Sequence, residues 1–190
     1  MTLEQRIKSY KEKTGFPESL FISEDRRIIG IWIMGNNYKV ASKYYGGYPH
    51  GYLKRIYSLF PDKKNILHLF SGKVNNEIFP GDTFDINENL NPTYVGDAHE
   101  LSKIVKKKYD LILADPPYSV EDCEHYGTCM INRNKVLKEC EKIMEIGSHL
   151  VWLDQVLPMY KKSALKTIGY IGMVKSTNHR FRIITIFEKI

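Results

Sequence analysis

The chain predicts an α/β fold, with buried strands of the kind found in parallel sheets and amphipathic helices between them. Three observations lead there. Short apolar runs at 66–69, 111–114 and 150–153 have the length and all-round apolarity of strands buried on both faces. A stretch at 132–144 places Val136, Leu137, Cys140, Ile143 and Met144 on one side of a helix. The chain then ends in two alternating runs, 170–176 and 181–188, joined by Thr177-Asn178-His179-Arg180. With 190 residues, 43% of them hydrophobic, there is enough chain for one domain with a substantial core.

The elements follow in order. Leu3, Ile7 and Tyr10 stand at helical spacing in 2–13, and Gly15 and Pro17 end that pattern. Residues 27–35 read as a strand. Asn36-Asn37 then supplies a turn, and 38–42 is expected to return as its hairpin partner, which makes 1–43 an extension. Tyr44-Tyr45-Gly46-Gly47-Tyr48-Pro49-His50-Gly51 mixes glycine with aromatics, as suits backbone passing close to something flat, and a helix follows at 52–60. Strands are expected at 64–69, 83–87 and 93–98, and the last leads into a helix at 98–108. After 132–144, stopped by Gly147, come a strand at 149–154 and a helix at 157–168 with Pro158 in its first turn.

The most informative stretch is Leu111-Ile112-Leu113-Ala114-Asp115-Pro116-Pro117-Tyr118. Neither proline donates a backbone hydrogen bond and both hold φ near −65°, so the strand must stop there. The result is a stiff turn at the carboxyl end of a strand, the place where open α/β sheets put their ligands. It offers a carboxylate, free carbonyls and one ring. An exocyclic amine on a base is a poor nucleophile because its lone pair is delocalised. Hydrogen bonds from that amine to a carboxylate and a prolyl carbonyl localise the pair, and a stacked ring holds the base flat.

Asp115-Pro116-Pro117-Tyr118 resembles the motif of S-adenosylmethionine-dependent amino-methyltransferases, which methylate N6 of adenine or N4 of cytosine. The resemblance runs from about 44 to 190 and implies a Rossmann-like class I methyltransferase fold, seven strands with the last antiparallel. It makes Asp115, Pro116, Pro117 and Tyr118 the catalytic group. Asp115 and the Pro116 carbonyl would orient the amine for in-line attack on the sulfonium methyl. Phe70-Ser71-Gly72, after an apolar strand, is similar to the family's cofactor motif Phe-x-Gly-x-Gly, although Lys73 and Val74 follow and the second glycine is missing. Little room is left before the next strand for a crossover helix. Asp85 matches the acid that accepts the ribose hydroxyls, or makes an Asx turn before Asn87. Asp97 matches the acid on the adenine amine, with the Ala98 N–H on a ring nitrogen, and is equally suited to cap a helix. Tyr45 and Gly47 fall where the family closes over the methionine end of the cofactor. His125 and Tyr126, in the polar segment after Tyr118, and Asn178, His179 and Arg180, in the last connection, are the candidates for base or backbone contact.

A net charge of +6 is spread unevenly: 151–190 holds seven bases against two acids. Nucleic acid, DNA before RNA, is the expected partner, with Lys161, Lys162, Lys175, Arg180 and Arg182 on the approaching face. The segments 72–115 and 118–149 are too short for a target-recognition domain, so specificity falls to short loops, a homodimer or a separate specificity partner. Adenine N6 in DNA is the primary reading. A small N-methyltransferase acting on ribosomal or transfer RNA is the alternative within the class. A nucleic-acid-binding subunit that has lost catalysis is the alternative outside it. No metal is expected, because Cys123, His125 and Cys129 lack a fourth ligand at a recognisable spacing. The odd count of three cysteines argues against a disulfide framework, and no apolar run reaches eighteen residues, which fits a cytoplasmic protein.

Overall fold

The computed structural model describes residues 1–190 apart from 17, 36–46, 120, 122, 125–127 and 176–179. Its helices include α1 (Leu3–Thr14), α2 (Tyr52–Leu59), α3 (Leu101–Ile104) and α4 (Arg133–Lys142). Its strands are β1 (Leu20–Ile22), β2 (Ile28–Met34), β3 (Ile66–Leu69), β4 (Asp82–Asp85), β5 (Tyr94–Val95), β6 (Tyr109–Ala114), β7 (Met144–Asp154), β8 (Leu165–Lys175) and β9 (Phe181–Lys189). Tyr45, His125, Tyr126, Asn178 and His179 lie outside the described residues, as does the expected hairpin partner 38–42.

Among the described residues, the nine strands form one mixed sheet in the order β1-β2-β8-β9-β7-β6-β3-β4-β5. Nine replaces the seven expected. The extra two arise because β2 pairs in parallel with β8, from Ile28 opposite Gly169 to Met34 opposite Lys175. β1 then turns back along β2, Leu20 opposite Gly30. The N-terminal extension thus widens the sheet. β9 runs antiparallel to both β7 and β8. It closes the sheet in the expected sense.

Alternation along the strands divides the core in two. Ile66, Leu111, Leu113, Val151 and Leu153 pack with α1 and α2 residues such as Tyr10, Tyr52 and Ile56. Leu67, Leu69, Ile112, Leu150 and Trp152 pack with Leu101 of α3 and Val136 and Cys140 of α4. Helices therefore cover both faces.

Three expected helices change. At 157–168 there is none: Leu165, Lys166 and Thr167 pair with Lys189, Glu188 and Phe187 of β9, and long-range pairing overrides local periodicity. Instead of a helix across 98–108, a 3₁₀ turn, Ala98–Glu100, leads into the single turn of α3. The three consecutive lysines 106–108 then carry the chain into β6. A Cβ on Gly96 would lie 2.3 Å from Ile104 Cδ1, so α3 sits hard against the end of β5. α4 stops at Lys142, because the Ile143 carbonyl accepts from Tyr109 and Met144 already pairs with β6. As the spacing implied, no helix crosses between Gly72 and β4.

Candidate functional site

The carboxyl ends of four parallel neighbours, β6, β3, β4 and β5, lie side by side. Ala114 is level with Leu69, Leu69 with Phe84, and Asp85 with Val95. The next residues along these strands are Asp115, Phe70, Asp85 at the end of its strand, and Asp97 two beyond Val95. The sheet thus brings the predicted residues to one edge, with Asp115 and Asp97 about three strand spacings, ~14 Å, apart.

The turn after β3 bends sharply. Phe70 takes φ +59°, a left-handed value uncommon for a residue with a Cβ, and Gly72 takes φ +51°. The Ser71 N–H donates to the Phe84 carbonyl at 3.1 Å. The Ser71 side chain is buried, and its Oγ has no partner among the described residues. Gly72 needs no second glycine to hold its place, because its N–H donates to Asp85 Oδ2 at 2.8 Å. Asp85 Oδ1 accepts the Asn87 N–H at 2.9 Å, which is the expected Asx turn. Each carboxylate oxygen keeps a lone pair for another donor.

Asp97 caps the 3₁₀ turn. Its Oδ1 accepts from the His99 N–H at 2.8 Å and stands 2.6 Å from His99 Nδ1. His99 Nε2 accepts the Asn132 N–H at 2.8 Å, so the ring proton is on Nδ1 and points at Asp97. Burial pushes the Asp97 carboxyl up, but the His99 hydrogen bonds outweigh it and hold the group below the usual range.

Around Asp115 the structure adds residues that were not singled out. The Tyr118 hydroxyl donates to Asp115 Oδ1. On the α2 side, Tyr48 stacks on Tyr52 with centroids 5.2 Å apart, and the Tyr48 hydroxyl reaches the Leu113 carbonyl at 3.2 Å. His68 Nε2 lies 2.8 Å from the Phe79 carbonyl, so it carries the proton, and Nδ1 faces the Tyr48 hydroxyl at 3.4 Å. Burial lowers the His68 imidazole and keeps it neutral. Burial, followed by the nearby Asp115 charge, pushes the Tyr118 and Tyr52 hydroxyls well above their ordinary value, so both stay protonated. A histidine inside the apolar run Ile66-Leu67-His68-Leu69 was the visible signal for this cluster. Gly47 approaches the β3 turn, a Cβ there lying 3.8 Å from the Lys73 carbonyl.

Asp154, at the end of β7, is fully buried. It accepts Arg133 Nε at 2.6 Å, Arg133 NH2 at 3.1 Å and Trp152 Nε1 at 3.0 Å. The pair ties α4 to the sheet beside the site, and Phe70 packs edge-on against Trp152 at 6.4 Å.

The basic carboxyl-terminal quarter divides between the two ends of the sheet. Lys175, Arg180 and Arg182 are at the site end of β8 and β9, whereas Lys161 and Lys162 precede β8. The eleven residues of β8 separate the two groups by about 33 Å. Lys162 instead lines a cleft of about 820 Å³ with Arg6, Lys63 and Lys166 at the amino end of the strands. The five bases therefore do not gather at one end of the sheet.

No family model matches the chain, and no curated relative does. Solved structures do resemble it. TehB from Haemophilus influenzae superposes with a TM-score of 0.51 at 11% identity over 80% of this chain and 64% of TehB. TrmN from Thermus thermophilus gives 0.48 at 14% identity over 66% of this chain and 44% of TrmN. The N-methyltransferase NodS from Bradyrhizobium japonicum, solved in complex with S-adenosyl-L-homocysteine, gives 0.45 at 12% identity over 67% and 78%. The likeness to TehB is one of fold. The chain spans less than two thirds of TehB or TrmN.

Proposed function

We propose that the chain is an S-adenosylmethionine-dependent methyltransferase acting on the exocyclic amine of a nucleobase in nucleic acid, with adenine N6 in DNA as the preferred target. The observation that supports this most is the position of Asp115-Pro116-Pro117-Tyr118, which follows β6 directly and lies beside the turn after β3.

The residues along the sheet edge fit the cofactor. The orphaned Ser71 hydroxyl is a donor for its carboxylate, and the two remaining lone pairs of Asp85 suit its ribose hydroxyls. Asp97, with the first N–H of the turn at Ala98, suits its adenine, because the first N–H groups of a helical turn have no partner within it. Bound there, S-adenosylmethionine supplies a methyl group already activated by a sulfonium. What remains for the protein is to place and polarise the amine.

Asp115 and the Pro116 carbonyl accept the two amine hydrogens, which turns the nitrogen lone pair away from the ring. The prolines add no N–H that could compete for those acceptors. The Tyr118 ring supplies the stacking surface. Tyr48 and Tyr52, both close enough to feel the Asp115 charge, stay protonated and so stand beside the carboxylate without neutralising it.

Asp115→Ala tests this reading. Turnover should fall at least about 10²-fold, the scale for one polar group at a reacting centre, while calorimetric affinity for the cofactor changes far less. Near wild-type turnover would remove the motif from the chemistry.

A further inference from the structure

Arg182, the second residue of β9, lies over the Tyr118 ring with its guanidinium carbon 4.5 Å from the centroid. The Tyr118 hydroxyl is in turn on Asp115. A planar cation, a phenol and a carboxylate therefore stand in one column. The cation lies against the ring that would stack on a base. The phenol takes one oxygen that would receive the amine. In this state the two recognition features of the proposed site are engaged within the protein.

Arg182 is itself incompletely satisfied. Its Nε is buried and has no acceptor among the described residues, where it also makes no ion pair with a carboxylate. Buried guanidinium N–H groups rarely go unpaired, because desolvation without a partner is costly. The acceptor that suits a planar fork of donors is a planar or tetrahedral oxyanion, and phosphate is the one carried by nucleic acid. Arg180 and Lys175 are on the same end of the sheet, so a phosphodiester reaching Arg182 would pass cations on the way.

We propose that Arg182 couples phosphate docking to opening of the base slot, which restricts the enzyme to bases carried on a phosphodiester chain. The inference rests on the nucleobase reading given above. A phosphate next to the target nucleotide draws the guanidinium off Tyr118, the phenol swings from Asp115, and the ring and carboxylate become available together. A free nucleoside brings no phosphate and must displace Arg182 unaided. An aromatic–guanidinium contact of this kind sets that penalty at about threefold to thirtyfold.

The test compares methyl transfer to a free nucleoside with transfer to a dinucleoside monophosphate containing the same base. Wild type should favour the dinucleotide by about tenfold in kcat/KM. Arg182→Ala should narrow that ratio by gaining on the nucleoside and losing on the dinucleotide, with the loss in KM. Arg182→Lys, which keeps the charge but not the planar fork, should fall between. Equal efficiency on both substrates in wild type overturns the coupling, and this result does not depend on whether the variants fold. An unchanged ratio in a folded Arg182→Ala protein overturns it too, with the nucleobase reading intact. If wild type methylates no nucleic acid and no nucleoside, both proposals fall.

Discussion

Asp85 holds Gly72: its Oδ2 takes the Gly72 N–H at 2.8 Å and so fastens the turn after β3 to the end of β4. No helix lies between the two strands, so this contact ties their neighbouring ends directly. The same carboxylate is the proposed ribose acceptor, so it has two duties on one edge of the site.

Asp85→Ala should therefore weaken cofactor binding by about 1.5–3 kcal/mol, the range for hydrogen bonds to a charged group, with little effect at saturating cofactor. Asp85→Asn keeps one acceptor but sets an NH₂ against the N–H of Gly72 or Asn87, so it should weaken binding as well. Calorimetry on both variants measures this. A loss wholly in turnover, with affinity unchanged, contradicts the strand assignment.

The division of the basic residues makes a sharper prediction than their count did. Each phosphate contact contributes about −0.7 to −0.9 to the log–log salt slope of binding. Arg180→Ala, at the site end, should make the slope shallower by up to about one unit on every sequence. Lys162→Ala, about 33 Å away along β8, should leave it unchanged. Salt titrations on one duplex and one RNA hairpin decide it. Equal effects from the two variants would mean that nucleic acid spans both ends of the sheet.

How much could be read from the residues depends on how local the cause is. Pro116 and Pro117 terminate β6 whatever surrounds them, so the turn that ends this strand was legible. Asp85 and Asp97 were legible for a similar reason, each an acid closing a short run of strand-forming residues. The pairing of β2 with β8 was not, because parallel partners about 140 residues apart leave no local mark in either segment. The segment 157–168 carries apolar residues at helical spacing, yet Leu165 to Thr167 pair with β9. The cluster around the Tyr48 hydroxyl draws Tyr48, His68 and Leu113 from three separate segments, and only the histidine in an apolar strand hinted at it. Arg182 counted as one base among seven until β9 placed it over Tyr118.

Two buried imidazoles give the fold a defined acid sensitivity. Burial, reinforced by Arg6 and Lys63, pushes His149 down to about 2, and burial also lowers His68. Both are neutral in the folded chain, while the unfolded chain protonates them below about pH 6.5. Their stabilisation is complete above that value and is lost as pH falls, at up to about 1.4 kcal/mol per unit for each. Carboxylates lowered by their partners act in the same direction, but only below about pH 4.5. Urea unfolding between pH 6.5 and 5 should thus show a slope that His149→Gln reduces by about one proton. An unchanged slope would contradict the assignment.

The most direct measurement is transfer of a labelled methyl group from S-adenosylmethionine to unmethylated DNA and to RNA, followed by digestion and nucleoside analysis. The account predicts label on an exocyclic amine, chiefly as N6-methyladenine from DNA, with the signal reduced at least about 10²-fold in Asp115→Ala. Label on RNA adenine or guanine N2 would keep the chemistry and change the substrate. Label on a ring carbon or a sugar hydroxyl, or equal label with Asp115→Ala, would contradict the claim that Asp115-Pro116-Pro117-Tyr118 prepares an amine for methyl transfer.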